Sequence, residues 1–232
     1  MNNLVYIFIY VILFCIIVKL NSYHKNDNKC DFAYYTNVYI NYSILFVLTL
    51  LVINNNFASD YKLSSSINLI KIISYFLIAD FLTYWYHRII HRQPILKKYV
   101  HSAHHDNYQT VPLDILNGSC LEILSNFLIS YLIPTFIIQP NFFESVIIYG
   151  IIVSHTVYLH IDVDYDYFIP YFISSNYHTK HHHIGGGNYG QFFGMWDFLM
   201  NTLITEKQTQ IKKITRKKKQ KLKTNKCNDK IK

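Results

Sequence analysis

The stretch Ile67-Asn-Leu-Ile-Lys-Ile-Ile-Ser-Tyr-Phe-Leu-Ile-Ala-Asp80-Phe-Leu-Thr-Tyr-Trp-Tyr86-His87-Arg-Ile-Ile-His91 joins a predominantly apolar run to two histidines four residues apart. About 20 apolar residues in a helix span the hydrocarbon of a bilayer. Each helical residue turns about 100°, so His87 and His91 share one face. A membrane helix ending in metal-ligand side chains at the bilayer surface is the expectation.

Four further apolar runs repeat the first half of that pattern: 4–18, 38–53, 121–138 and 142–158. The run at 4–18 lacks a basic leader and a small-residue cleavage site, so it reads as a retained anchor rather than a secretory signal. Asn56-Phe-Ala-Ser-Asp60 and Gln139-Pro140-Asn141 read as turns, the second short enough to make its flanking helices a hairpin. The chain is 51% hydrophobic with only 16% charged residues, 7 glycines and 5 prolines. The expected fold is an all-α membrane protein with about four to five transmembrane helices. Cys15, Cys30, Cys120 and Cys227 show no paired spacing, which argues against a disulfide framework or thiolate metal site.

Eleven of the 12 histidines lie between His87 and His183. After the first pair come His101-Ser-Ala-His104-His105 and His178-Thr-Lys-His181-His182, with His155 and His160 between them. Neutral imidazole is a common ligand of transition metals. Together the clusters offer more imidazoles than one tetrahedral zinc takes, so a site for two metals is the economical reading. His155 and His160 stand about 140° apart on a regular helix. For both to ligate, a π-bulge must realign them or His160 must lie beyond the helix end. His183 adjoins a completed cluster and reads as a neighbour of the ligands; His24 reads as surface.

Threading brings the clusters together. His87 and His91 close the run at 67–86, while the runs at 121–138 and 142–158 go out and back and return His155 and His160 to the same side. Arg88, Arg92, Lys97 and Lys98, with the lysine-rich tail from Lys207, assign that side to the cytosol. The sequons at Asn41 and Asn117 are then expected to carry no glycan. Three segments follow: membrane anchors at 1–60, a histidine-bearing domain at 61–205, and a basic, disordered cytosolic tail at 206–232. The net charge of +8 favours anionic lipid beside this membrane domain over nucleic acid.

These residues carry a resemblance. His87-Arg-Ile-Ile-His91, His101-x-x-His104-His105 and His178-Thr-Lys-His181-His182 resemble the three histidine boxes of the fatty acid hydroxylase/sterol desaturase superfamily. So do Asn188-Tyr-Gly-Gln-Phe, Met195-Trp-Asp197, Asn201-Thr202, Asp80 and Pro112, and the likeness runs over roughly 67–205. The segment from His178 to Asp197 looks most like the sterol C-5 desaturase branch. The resemblance implies a di-iron centre held by His87, His91, His101, His104, His105, His155, His160, His178, His181 and His182. It implies O2-dependent hydroxylation or desaturation of a sterol or fatty-acyl lipid. Electrons would come from NAD(P)H through an external carrier such as cytochrome b5 and its reductase, and the location would be the endoplasmic reticulum membrane of a eukaryotic cell.

The chemistry suits that set. Breaking an unactivated C–H bond takes a strong metal-based oxidant, and imidazoles bind iron without adding charge beside a lipid phase. Asp80, Glu122, Asp162 and Asp197 are expected to orient ligand rings by accepting their second N–H, with salt bridging or helix capping as the plainer alternative. Trp85 and Tyr86 read as interfacial anchors before substrate contacts, and Gly185-Gly-Gly187 as a mobile turn. The alternative function is a non-catalytic membrane protein with a structural histidine–zinc site.

Overall fold

The computed structural model describes residues 32–54, 66–105, 110–161 and 172–211, with the isolated positions 19 and 215. The run at 4–18, Asp162 and most of the basic tail lie outside the described residues. The protein is all-α: among the described residues the only strand-like pairing is an isolated bridge between Phe172 and Phe193.

Helix α1 spans Phe32–Asn54 and α2 spans Leu69–Arg92. A 19-residue helix, α3, runs Cys120–Ile138, and α4 runs Phe142–Leu159. Helices α5 (Ser175–Ile184) and α6 (Met195–Leu199) are short. Three of these, α2, α3 and α4, are long and apolar enough to cross a membrane. Their outer faces agree: Leu69, Ile70, Ile73, Leu77 and Phe81 of α2 are exposed, whereas Tyr75 and Ala79 are fully buried. An apolar outer stripe around a packed interior is what hydrocarbon solvent selects.

Side-chain oxygens start each spanning helix by accepting its first free N–H groups. Asn68 caps α2, Ser119 caps α3 and Asn141 caps α4. Pro134 sits inside α3, where its ring would crowd the carbonyl one turn back. A π-helical turn at Leu128–Leu132 widens the helix just before it.

The hairpin expected at Gln139-Pro140-Asn141 forms. Gln139 adopts a left-handed conformation (φ 51°) and ends α3, and Asn141 opens α4. Glu144, 1% exposed, ties this end together. One of its oxygens accepts from Asn141 N at 2.7 Å and the other from Asn68 N at 2.8 Å. The start of α2, the end of α3 and the start of α4 therefore meet at one end, and the histidine-bearing ends of α2 and α4 come together at the other, as the threading requires.

Helix α1 packs on the loop carrying Pro112–Leu116. Tyr34 and Val38 join Leu113, Leu116 and Val157 in one buried cluster. Asn41, fully buried, donates to Leu116 O and Gly118 O, both at 2.8 Å. Asn37 donates to Asn117 Oδ1 at 3.1 Å and to Gly118 O at 3.0 Å. Asn41 and Asn117 are thus consumed internally, an additional reason for the sequons to stay unmodified. Beyond 205 the chain also stays ordered for a turn: residues 206–211 are helical, and Lys180 pairs with Glu206 at 2.6 Å.

Candidate metal centre

Nine histidines assemble into two adjoining groups. His87, His91, His101, His105 and His181 form one; His104, His160, His178 and His182 form the other. Within each group the ligand nitrogens all lie within 4.8 Å of one another. The groups abut: the His105 and His182 ring centroids are 4.5 Å apart.

Local geometry explains the division. From His178 to His182 a helix turns about 400°, leaving those rings about 40° apart, whereas His181 lies about 60° to the other side of His178. Hence His178 and His182 serve one group and His181 the other. His87 and His91, with the same four-residue offset, stay together. The second box is not an α-helical face. His101 closes a π-helical turn, Lys97–His101, and His104 and His105 lie on a 3₁₀ turn. That change of winding sends His101 and His105 to the first group and His104 to the second.

The tautomers make these pockets cation sites. Nδ1 of His87 donates to Tyr189 O at 3.1 Å, of His91 to Gly185 O at 3.0 Å, and of His181 to Gly187 O at 2.7 Å. In the second group, His104 Nδ1 donates to Asp114 O at 3.1 Å and His160 Nδ1 to Thr156 O at 2.8 Å. His101 Nδ1 donates to Glu122 Oε1 at 2.5 Å. The five main-chain carbonyls have only lone pairs to offer, so there the Nδ1 holds the proton and the Nε2 presents a lone pair.

The Nε2 atoms within each group face one another. The separations are 3.2 Å for His87–His101, 3.0 Å for His101–His105 and 3.2 Å for His105–His181. In the second group they are 3.5 Å for His104–His160, 3.2 Å for His160–His178 and 3.1 Å for His178–His182. Donors at about 2.1 Å from one metal, 90–110° apart, stand about 3.0–3.4 Å from each other. Converging lone pairs at that spacing fit a metal ion in each group.

Electrostatics agree. Burial pushes His104 down to about 4 and His160 to about 3 from the usual 6.5. Burial first, then neighbouring imidazoles, holds His101, His178 and His182 well below that value, and His105 and His181 likewise. All seven are neutral and able to ligate at pH 7.

The structure brings all but one of the expected ligands together. His160 leaves the end of α4 (φ −100°, ψ 8°) and so escapes the 140° mismatch without a π-bulge. His155 is the exception. It belongs to neither group; its Nε2 lies 2.9 Å from Gln191 O and its ring stacks on Phe192. His183 also lies outside both groups.

Of the four carboxylates expected to orient rings, Glu122 does so through His101. Asp80 instead accepts from the backbone N–H of Gln191 at 3.0 Å and Phe192 at 2.7 Å. Asp197 accepts from Tyr189 N, Gly190 N, Tyr177 Oη and Thr202 Oγ1, all within 2.9 Å. Both carboxylates hold the 189–192 segment rather than an imidazole. Asp162 lies outside the described residues.

Several groups that orient ligand rings escaped the sequence reading because they are main-chain carbonyls: those of Asp114, Thr156, Gly185, Gly187 and Tyr189. The glycine turn at 185–187 is accordingly a shaped support. Gly185 (φ 69°) ends α5, and a Cβ on Gly187 (φ 111°) would lie 2.5 Å from Thr202 O. Gly118, where a Cβ would meet Glu122 Oε2 at 2.6 Å, lets that carboxylate sit against the loop.

A cavity of about 230 Å³ runs from both histidine groups into the span between α2, α3 and α4. Ile90, Ile123, Phe127, Ile152 and Phe192 give it a largely apolar wall, and Tyr86 faces it too.

A model of the family described as "Fatty acid hydroxylase" matches residues 72–202. The chain belongs to the fatty acid hydroxylase family. It is 30% identical over 134 residues to a lathosterol oxidase of Rattus norvegicus, covering 56% of this chain and 43% of the relative. A putative methylsterol monooxygenase of Dictyostelium discoideum is 29% identical over 140 residues, 58% of this chain and 51% of the relative. A very-long-chain aldehyde decarbonylase of Oryza sativa is 29% identical over 139 residues, 57% and 52%. The chain thus spans about half the length of the relatives it matches. No solved structure matches it.

Proposed function

We propose that this protein is a membrane-bound lipid oxidoreductase whose two histidine groups each hold an iron, and which uses O2 and electrons from an external carrier of the cytochrome b5 type. The observation that carries the reading is the convergence of two sets of neutral Nε2 lone pairs on the head of an apolar cavity between membrane helices. Held by the two histidine groups, a pair of irons would supply the oxidising power for C–H removal, with electrons delivered by the external carrier. The chain's own residues do the rest. Main-chain carbonyls and Glu122 orient the rings of His87, His91, His101, His104, His160 and His181, the apolar walls exclude water, and the cavity presents a lipid carbon to the histidine layer.

A sterol-type lipid is the favoured substrate, supported by relatives named lathosterol oxidase, methylsterol monooxygenase and, in Leptosphaeria maculans, Delta(7)-sterol 5(6)-desaturase. A structural zinc site is the weaker reading, since a purely structural centre has no use for an apolar cavity reaching both groups. The site faces the cytosol, in the endoplasmic reticulum membrane of a eukaryotic cell. The test is expression in cells lacking their own sterol desaturase, with O2 and cytochrome b5 reductase present. A new sterol product is expected. New hydroxylated acyl chains with unchanged sterols would overturn the substrate, and no lipid change at all would overturn the activity.

A further inference from the structure

Helix α3 turns its polar residues inward. Leu121, Leu124 and Leu128 are exposed on its outer face, whereas Glu122, Asn126 and Ser130 recur every four residues and line the cavity. Four residues of helix rise about 6 Å. The polar row therefore starts beside the metal ligands at Glu122 and reaches roughly 12 Å into the span at Ser130.

Two rungs of this row are satisfied from within the protein. Glu122 Oε1 accepts from His101 Nδ1 at 2.5 Å, and Ser130 Oγ lies 2.9 Å from Thr83 Oγ1. Asn126 differs: among the described residues no hydrogen-bond partner meets its side-chain amide. A carboxamide carries two donors and an acceptor, and leaving it unpaired in an apolar setting is costly. Polar residues within membrane spans are expensive and mark substrate paths. The cavity wall is largely apolar, with Ile123, Phe127, Ile152 and Val153 in it, and none of its polar side chains, Tyr149, Thr156 and Gln191 among them, bonds the Asn126 amide.

We propose that Asn126 is the specificity-determining residue of this cavity, and that its ligand is a lipid alcohol whose hydroxyl pairs with the Asn126 amide. A hydroxyl both donates to Oδ1 and accepts from Nδ2, while a plain hydrocarbon chain does neither. Because Asn126 is one helical turn from Glu122, that hydroxyl sits about 6 Å from the histidine layer, close to the carbon being oxidised. The inference rests on the lipid-oxidation reading for the cavity's role and adds the polar group by which the substrate is chosen.

The experiment is direct binding to the purified, metal-loaded full chain in detergent, with radiolabelled 5α-cholestan-3β-ol compared with 5α-cholestane. The wild type is expected to bind the alcohol about ten-fold more tightly, as one buried hydrogen bond implies. Asn126→Leu should bring the two affinities to within about two-fold, with metal content unchanged, since the hydrogen bond that separates the two lipids is lost. Equal wild-type affinities, binding of neither lipid, or a preference that survives in Asn126→Leu would overturn the proposal. The measurement needs no turnover, so failure to find an oxidised product counts against the reaction alone.

Discussion

A histidine whose Nδ1 lies 2.7 Å from a carbonyl oxygen, as His181 does against Gly187, has its tautomer chosen by its neighbour. The same choice is made at His87, His91, His104 and His160. His91 and His178 belong to different groups. His91→Ala and His178→Ala should each lower bound metal from about two to about one equivalent per chain, because each removes a donor from one ion only. The double variant should retain almost none, and activity should be lost in all three. Elemental analysis at matched expression reads this out. Loss of both metals from either single variant would contradict the division into two groups. The residue types and spacings of the boxes are visible in the sequence. Which metal each ring serves is visible only in part, since the 40° and 60° offsets in the third box follow from helical geometry whereas the split in the second follows from a π-to-3₁₀ change that spacing does not announce.

Among the elements, α1 has the least expected role. Its sequence shows only an apolar run, yet Asn37 and Asn41 hold the carbonyls of the loop after the second box. Tyr34 Oη donates to Asp114 Oδ1 at 2.9 Å. Asp114 in turn receives His104 Nδ1 on its main-chain carbonyl. Asn41→Ala removes one of two donors from each of the Leu116 and Gly118 carbonyls, which should cost about 1–3 kcal/mol in all. It should also lower metal occupancy in the four-histidine group before the other, because His104 leans on that loop. Thermal unfolding in detergent and metal content together check this. Unchanged stability would show that α1 is only an anchor.

For the whole molecule, gathering the histidine-bearing ends of α2 and α4 at one end fixes what must share a membrane face. Arg88, Arg92, Lys97 and Lys98 lie at that end, so the metal face and C-terminus should be cytosolic. Protease added to sealed microsomes should remove a C-terminal tag, and Asn41 and Asn117 should carry no glycan. A protected tag would separate the metal face from cytosolic electron carriers. Acid should also loosen the metal-free protein. Burial holds His104 at about 4 and His160 at about 3, while unfolded histidine titrates near 6.5. Between about pH 6.5 and those lower values the unfolded chain binds more protons, so stability falls as pH drops through that window and is level above it. Melting of the stripped protein between pH 7.5 and 4.5 measures this, and a flat profile would contradict it.

The sequence by itself determined the class of molecule. Runs of apolar residues near membrane length leave a helix as the solution that satisfies every backbone group in lipid. Histidine spacings of three and four carry ligand faces on any helix. Tertiary structure alone decided the rest. It excluded His155, freed His160 by ending α4 one residue earlier, and turned Asp80 and Asp197 from expected ring partners into holders of the 189–192 segment. It also recruited α1 and left Asn126 facing the cavity. The reason is that main-chain carbonyls supply most of the orienting acceptors. Every residue has one, so only the path of the folded chain says which of them points at an imidazole.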